Sequence, residues 1–185
     1  MVNMEKIKYL AGSALKLDYD LGQKVFDLVR ESSRRANEIS KTYPDEGLEA
    51  TFKEYKPERV WGEANLLLEV FFAFDGERLV GTAFLSKKNC DDLPPGTGAY
   101  LGGLYVHSEY WKKNVAPTIL DKIKDHARKK SIKIIRGDTT IYPQTLKFYE
   151  KHGFRLGEEI FWEVLPGVKM KYYKMELALT DAIKK

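Results

Sequence analysis

The chain has a single cysteine, Cys90, in 185 residues. One cysteine excludes an intramolecular disulfide, and no Cys/His spacing matches a zinc site. Cys90 lies in KKNCDDLPPG, with no histidine nearby in sequence to draw off its proton, so it reads as a loop residue and not a catalytic thiol. The histidines His107, His126 and His152 have no metal-type spacing, and no metal is expected. No apolar run approaches the ~20 residues of a membrane span. Glu5, Lys6 and Lys8 interrupt MVNMEKIKYLAGSALKLD where a secretory leader would be apolar. A cytoplasmic protein without membrane contact is therefore expected. Repeats, low-complexity tracts, the G-x-S-x-G elbow and the P-loop are all missing as well.

What remains is the composition of a soluble globular protein, 43 % hydrophobic and 31 % charged. The length suits one domain spanning 1–185 with a substantial core. Aromatic residues make up 12 %, enough for a bulky core or an aromatic-lined pocket. The net charge of +4 would attract an anionic ligand as readily as nucleic acid. The basic stretch KIKDHARKKSIK has helically spaced apolar residues and no aromatic or glycine interleaving. It reads as a solvated helix face, and no nucleic-acid partner is expected.

Along the chain, Lys6–Lys16 is ambiguous and is a candidate first strand. Residues 19–39 read as a helix with Leu21, Val25, Leu28 and Val29 on one face and Arg30, Glu31, Arg34 and Arg35 towards water. TYPDEG (42–47) reads as a turn, and Leu48–Tyr55 as a short helix before Pro57. Leu66–Phe74 and Arg78–Ser86 read as strands joined by a type I′ hairpin centred on Asp75-Gly76. Apolar residues on both faces of these strands imply a sheet covered on both sides. Ala99–Val106 follows as a strand, Asn114–Lys130 as a helix, Ile132–Gly137 as a strand, and Pro143–His152 as a helix closed by Gly153. Phe154–Val164 and Lys169–Leu179 complete the set as two strands joined by Pro166-Gly167. The fold class is mixed α/β.

The first N–H groups of a helix have no intrahelical partner and sit at the positive end of its dipole, so a diphosphate can dock there if the backbone comes close. The segment LGGLYVHSEYWKKNVAPTIL supplies a strand, a short polar turn and a helix start in that order. A second strand and a helix ending in FYEKHGF follow. Over residues 66–156 this pattern resembles the GNAT N-acetyltransferase superfamily. The resemblance implies a mixed, mainly antiparallel, splayed sheet of six or seven strands with helices on both faces.

The resemblance also assigns roles. Leu104, Tyr105 and Val106 match the splayed strand that pairs with the pantetheine arm of acetyl-CoA, and Gly102-Gly103 upstream would ease a bulge. Trp111, Lys112, Lys113, Asn114, Val115 and Ala116 match the diphosphate turn, which in the family reads Q/R-x-x-G-x-G/A. Here Trp111 stands for Gln or Arg, Asn114 replaces the first glycine, and Pro117 removes an N–H. Asn tolerates unusual backbone angles and is a good N-cap, and Lys112 and Lys113 would supply charge. Phe148 packs the last helix on the sheet. Tyr149 matches the family's general acid, which protonates the departing sulfur of CoA. Tyr142 stands where an asparagine often contacts CoA.

Acetylation needs a neutral amine, and a carboxylate, often acting through water, usually removes the proton. Glu69, the lone charge in NLLLEVFFAF, is the first candidate base, and Asp138 at a strand end is the second. The implied activity is acetyl transfer from acetyl-CoA to a primary amine by direct attack in a ternary complex. A GNAT-like module that binds a ligand or partner without catalysis is the alternative. The acceptor, a small molecule or a protein, would be set around 20–60 and 160–175, where Glu31, Asp45, Glu46 and Glu49 could draw a cationic amine. A homodimer stays open.

Overall fold

The protein, seen here as a computed structural model, is described over residues 7–12, 19–54 and 66–179. The elements in chain order are β1 (Ile7–Ala11), α1 (Tyr19–Ser40), α2 (Asp45–Glu54), β2 (Leu67–Asp75), β3 (Arg78–Ser86), β4 (Gly98–Val106), α3 (Val115–Lys129), β5 (Ile134–Thr140), α4 (Pro143–Lys151), β6 (Arg155–Leu165) and β7 (Val168–Ala178). They form one seven-stranded sheet in the order β1-β2-β3-β4-β5-β7-β6. Every neighbouring pair is antiparallel except β4 and β5. The ambiguous first segment is a strand over Ile7–Ala11, and its expected continuation over 13–16 lies outside the described residues, as does Tyr55.

Strand alternation sorts the core into two layers. Val70, Phe72 and Met170 pack with Val25, Leu28, Val29, Leu48 and Phe52 of α1 and α2. Phe71, Ala73, Leu101 and Ile135 pack on the other face with Ile119, Leu120 and Ile123 of α3 and with Tyr149 of α4. The sheet is thus covered on both sides, which is why β2 is apolar in both parities.

Three local readings change. The β2–β3 turn is centred on Gly76-Glu77, since Asp75 pairs with Arg78. Only Gly76 has positive φ there, so the loop is of the kind with glycine first and not type I′. Half of TYPDEG is already helix: Asp45 and Glu46 lie in the first turn of α2, where acidic side chains favour the positive end of the dipole. Ile132 belongs to the end of α3 and not to β5. Its N–H donates to the Ala127 carbonyl (2.9 Å) and that of Ser131 to Arg128 (3.0 Å), with Ser131 at φ +59°, the double bond of a Schellman cap.

The feature that opens the sheet is the pairing of β4 with β5. They pair in parallel only at Gly98–Ile134, Ala99–Ile135 and Tyr100–Arg136, and the strands then part. On its other side β4 carries a bulge. Between the pairs Thr82–Tyr105 and Phe84–Gly102, β4 has one residue more than β3. Gly103 takes φ +61°, and a Cβ on Gly102 would lie 2.3 Å from the ring of Phe84. A bulge bends its strand and raises its twist, which turns the far half of β4 away from β5. Replacing Gly103 by alanine should lower stability by about 1–2 kcal/mol, the cost of a left-handed non-glycine residue. Denaturant titration of Gly103→Ala measures this, and an unchanged midpoint would show that the bulge does not depend on positive φ.

Candidate active site

A cleft of about 1210 Å³ fills the gap between the parted strands. Its walls come from both faces of the sheet. Leu104, Tyr105 and Val106 of β4, the start of α3, and Phe148 and Tyr149 of α4 line it, together with Ser32 and Ser33 of α1, Thr51 of α2, Trp162 of β6 and Tyr172 of β7.

The turn into α3 is built without glycine. After β4, Ser108–Tyr110 forms a single 3-10 turn, and Trp111 N–H donates to the Ser108 carbonyl (3.1 Å). Lys112 and Asn114 both take left-handed backbone angles, φ +59° and +58°. Asn114 is the N-cap residue of α3, yet its side chain makes no capping bond. Its carbonyl instead accepts from Thr118 Oγ1 (2.7 Å). Tolerance of positive φ, and not capping, is therefore what asparagine contributes here.

The N–H groups of Asn114, Val115 and Ala116 have no intrahelical acceptor at such a helix start. The fourth position is Pro117, so the helix loses no bond to it, but one donor is gone. Trp111 serves the structure of the turn. Its indole N–H donates to the Val106 carbonyl (2.7 Å), tying the turn to the end of β4. Glu31 braces the turn from α1. Its carboxylate accepts from the Ser108 N–H (3.0 Å) and from the Ser108 hydroxyl, so it does not face water as its helical position suggested.

The closing motif FYEKHGF is explained by its cap. The N–H of Phe154 donates to the Tyr149 carbonyl (3.0 Å) and that of Gly153 to Glu150 (3.0 Å), with Gly153 at φ +89°. This is again a Schellman cap, in which glycine takes the left-handed position and an apolar residue follows. The Phe154 ring meets the Tyr149 ring edge-on at 5.2 Å, and the Phe148 ring also meets it edge-on, at 5.3 Å. Lys124 of α3 donates to the His152 carbonyl (2.9 Å), which docks the cap on its neighbour, and His152 Nδ1 lies 2.7 Å from the Phe148 carbonyl. Tyr149 is thus a buried phenol held in one orientation on the wall of the cleft. Burial pushes its pKa far up, so it carries its proton at neutral pH.

Of the residues expected at the site, Leu104, Tyr105, Val106, Trp111, Lys112, Asn114, Val115, Ala116, Tyr142, Phe148 and Tyr149 line the cleft. Lys113 does not, and its ammonium lies over the Tyr110 ring at 5.3 Å. Tyr142 precedes α4 as its N-cap and stacks edge-on against Tyr43 at 5.3 Å, so it backs the wall with aromatic packing.

Glu69 is not brought to the cleft. It shares the strand parity of Phe71 and Ala73, which puts it on the α3 face beside His126, with Nε2 at 3.8 Å. Burial lowers the His126 pKa, so its ring is uncharged at neutral pH. Three of the four acidic residues expected to draw an amine are engaged as well, Glu31 with Ser108, Glu49 with Arg34 (2.7 Å) and Asp45 with Asn37 (2.9 Å), while Glu46 is exposed on α2 and does not line the cleft. The carboxylates that do line the cleft are Asp138 and Glu163, and Glu163 accepts from the Gly167 N–H (2.9 Å) in the β6–β7 turn.

The Trp111 bond can be tested directly. Trp111→Phe keeps a ring and removes the donor to a carbonyl at the buried end of β4, which should cost about 1–3 kcal/mol. Equal unfolding free energies for the two proteins would show that the indole bond does not hold the turn.

A family model, described as the acetyltransferase (GNAT) family, matches residues 26–154. No match is found among curated proteins. Among solved structures, the chain is similar to a PaiA N-acetyltransferase from Thermoplasma acidophilum solved in complex with coenzyme A. The identity is 22 %, with 93 % of this chain and 98 % of that chain covered and a TM-score of 0.69. A GCN5-related N-acetyltransferase from Rhodopseudomonas palustris is 18 % identical, with 97 % and 99 % coverage and a TM-score of 0.69. The ribosomal-protein-S18-alanine N-acetyltransferase from Escherichia coli is 12 % identical, with 96 % and 98 % coverage and a TM-score of 0.62. At these identities the likeness establishes the fold. The family match spans more than half of the sequence, and the chain belongs to the GNAT family of acetyltransferases.

Proposed function

We propose that this protein transfers an acetyl group from acetyl-CoA to a primary amine within the cleft between β4 and β5. The observation that carries the proposal is the meeting of three features on one wall. These are the far half of β4, whose pairing with β5 has ended, the donor-rich start of α3, and the buried phenol of Tyr149.

The residues present fit acetyl-CoA. The N–H groups of Asn114, Val115 and Ala116 would hold its diphosphate, with Lys112 adding charge at the same turn. The backbone of Leu104, Tyr105 and Val106 would pair with the amide-bearing arm, as an exposed strand pairs with an added one. When bound, acetyl-CoA supplies a thioester, an acyl carbon already activated towards amines. Tyr149 holds a proton that the departing sulfur needs, and burial keeps that proton in place at neutral pH. The similar PaiA N-acetyltransferase solved in complex with coenzyme A supports acetyl-CoA as the co-substrate of this chain.

Isothermal titration with acetyl-CoA tests the binding half. Saturable binding is expected, weakened about fivefold by Lys112→Ala, as suits one partly exposed charge on a phosphate. Lys113→Ala should change it far less, because Lys113 is turned to Tyr110. No binding at millimolar acetyl-CoA would sink the proposal. Tyr149→Phe tests the acid: kcat should fall by about 100-fold or more while acetyl-CoA affinity holds. An unchanged chemical step would remove Tyr149 from that role, and tight binding without transfer to any amine would favour a non-catalytic module.

A further inference from the structure

A second hollow of about 650 Å³ adjoins the cleft and shares Tyr100 and Asp138 with it. It lies on the sheet face that carries α1 and α2, at the end that those helices leave open. The change is visible along β7, where Met170 is buried, Tyr172 half-buried and Lys174 exposed. The hollow is strongly polar. Arg136 bridges Asp92 (2.7 Å) and Glu176 (3.0 Å), Lys174 pairs with Glu158, and Arg155 reaches Glu176 at 3.5 Å. Asp138 is the one carboxylate lining it with no cation at ion-pair distance among the described residues. Its hydrogen-bond partner is neutral, the Tyr100 hydroxyl, which donates to Oδ2 at 3.1 Å.

The position of Asp138 follows from the fold. Tyr100–Arg136 is the last rung joining β4 to β5. Asp138 is two residues further along β5, on the same face as Arg136, at the mouth of the gap. Tyr149 reaches that gap from the opposite face, within the α3–α4 core. A carboxylate with no cation at ion-pair distance, Lys174 opposite it being paired to Glu158, and a protonated phenol therefore flank the gap from its two sides.

Building on the proposed acetyl transfer, we infer that Asp138 is the general base, that Tyr100 positions it, and that the acceptor is a cationic primary amine entering through the polar hollow. An ammonium group completes the ion pair that Asp138 lacks, while the paired Arg136, Lys174 and Arg155 keep the hollow from attracting cations indiscriminately. The ammonium gives one proton to Asp138. The freed nitrogen lone pair forms the C–N bond to the acyl carbon as the C–S bond breaks with its electrons on sulfur. The nitrogen loses its second proton to solvent, the sulfur takes the Tyr149 proton, Tyr149 is reprotonated from solvent, and Asp138 gives its proton to solvent. The net release is one proton to solvent.

The groups that face Asp138 are Tyr100 on β4, Lys174 opposite it on β7, Arg136 on its own strand, and Lys88, whose ammonium lies 5.8 Å from the Tyr100 ring centroid. Removing the Tyr100 hydroxyl takes away the hydrogen bond that orients the Asp138 carboxylate, so Tyr100→Phe should lower kcat while leaving the acceptor KM close to wild type.

The test uses acetyl-CoA with three cationic probes, glycinamide, L-lysine and benzylamine, followed by thiol release from pH 5 to 9. Acetyl-CoA affinity is measured in parallel by titration calorimetry. Wild-type kcat/KM for the best probe should be flat around neutrality. Asp138→Asn should lose about 100-fold at pH 7 and then gain about tenfold per pH unit, as free amine replaces ammonium in solution. Its acetyl-CoA affinity should match wild type. Tyr100→Phe should lose less rate than Asp138→Asn, with the loss in kcat and not in KM or in acetyl-CoA affinity.

An Asp138→Asn enzyme with the wild-type rate or a flat profile overturns the assignment. So does a variant that loses acetyl-CoA affinity in step with its activity, because that marks a structural role. Wild-type protein that binds acetyl-CoA but acetylates none of the three probes overturns the acceptor class while leaving the cofactor site standing. Failure to bind acetyl-CoA at all overturns the underlying reading instead.

Discussion

The structure depends on a parallel strand pair that stops after three rungs. If β4 and β5 stayed paired, there would be no cleft, no exposed half-strand, and no route from one sheet face to the other. They part next to an extra residue in β4, accommodated by Gly102 and Gly103 under the ring of Phe84. Backbone N–H and C=O groups are obligatory hydrogen-bonding groups, so a strand half paired on one side and open towards β5 is suited to an extended ligand. The chain keeps that half in shape by tying the end of β4 to the next turn through the indole of Trp111.

Around that gap, helix ends do most of the positioning. The start of α3 presents backbone donors in a turn that needs two left-handed residues, and Lys112 and Asn114 supply them. Each costs roughly 1–2 kcal/mol in a non-glycine residue, less for asparagine, so the turn is maintained by its surroundings. Those surroundings are the Glu31 contacts from α1, the 3-10 turn beneath it, and the Trp111 bond. The far end of α4 works in the opposite way. Gly153 takes the left-handed cap without strain, and Phe154 closes over Tyr149, fixing the phenol where the cleft needs it.

Much of this could be read from the sequence because it is local. FYEKHGF encodes a cap, a stacking partner and a phenol within seven residues. The Gly-Gly pair in β4 signalled a bulge. Asn at the expected glycine position pointed to positive φ, although its capping role did not materialise. The readings that failed turned on long-range placement. Nothing local to Glu69 says which parity of β2 faces the gap, and the apolar residues on both sides of it hide the answer. Lys112 and Lys113 look alike in sequence, yet the left-handed residues around them send one to the cleft and the other to Tyr110. Tyr100 and Asp138 are 38 residues apart and meet only because a crossover strand pairs in parallel. Glu31 looked solvent-facing because its partner, Ser108, lies 77 residues away.

At the centre of this mechanism, the open half of β4 and the start of α3 form one cofactor-binding surface. Backbone amide NMR of labelled protein titrated with coenzyme A tests it most directly. Saturable shifts should concentrate at residues 104–106 and 112–116, with the amides of Asn114, Val115 and Ala116 among the largest. Saturable binding that leaves those amides in place and shifts others, such as those of the β6 edge, would contradict it.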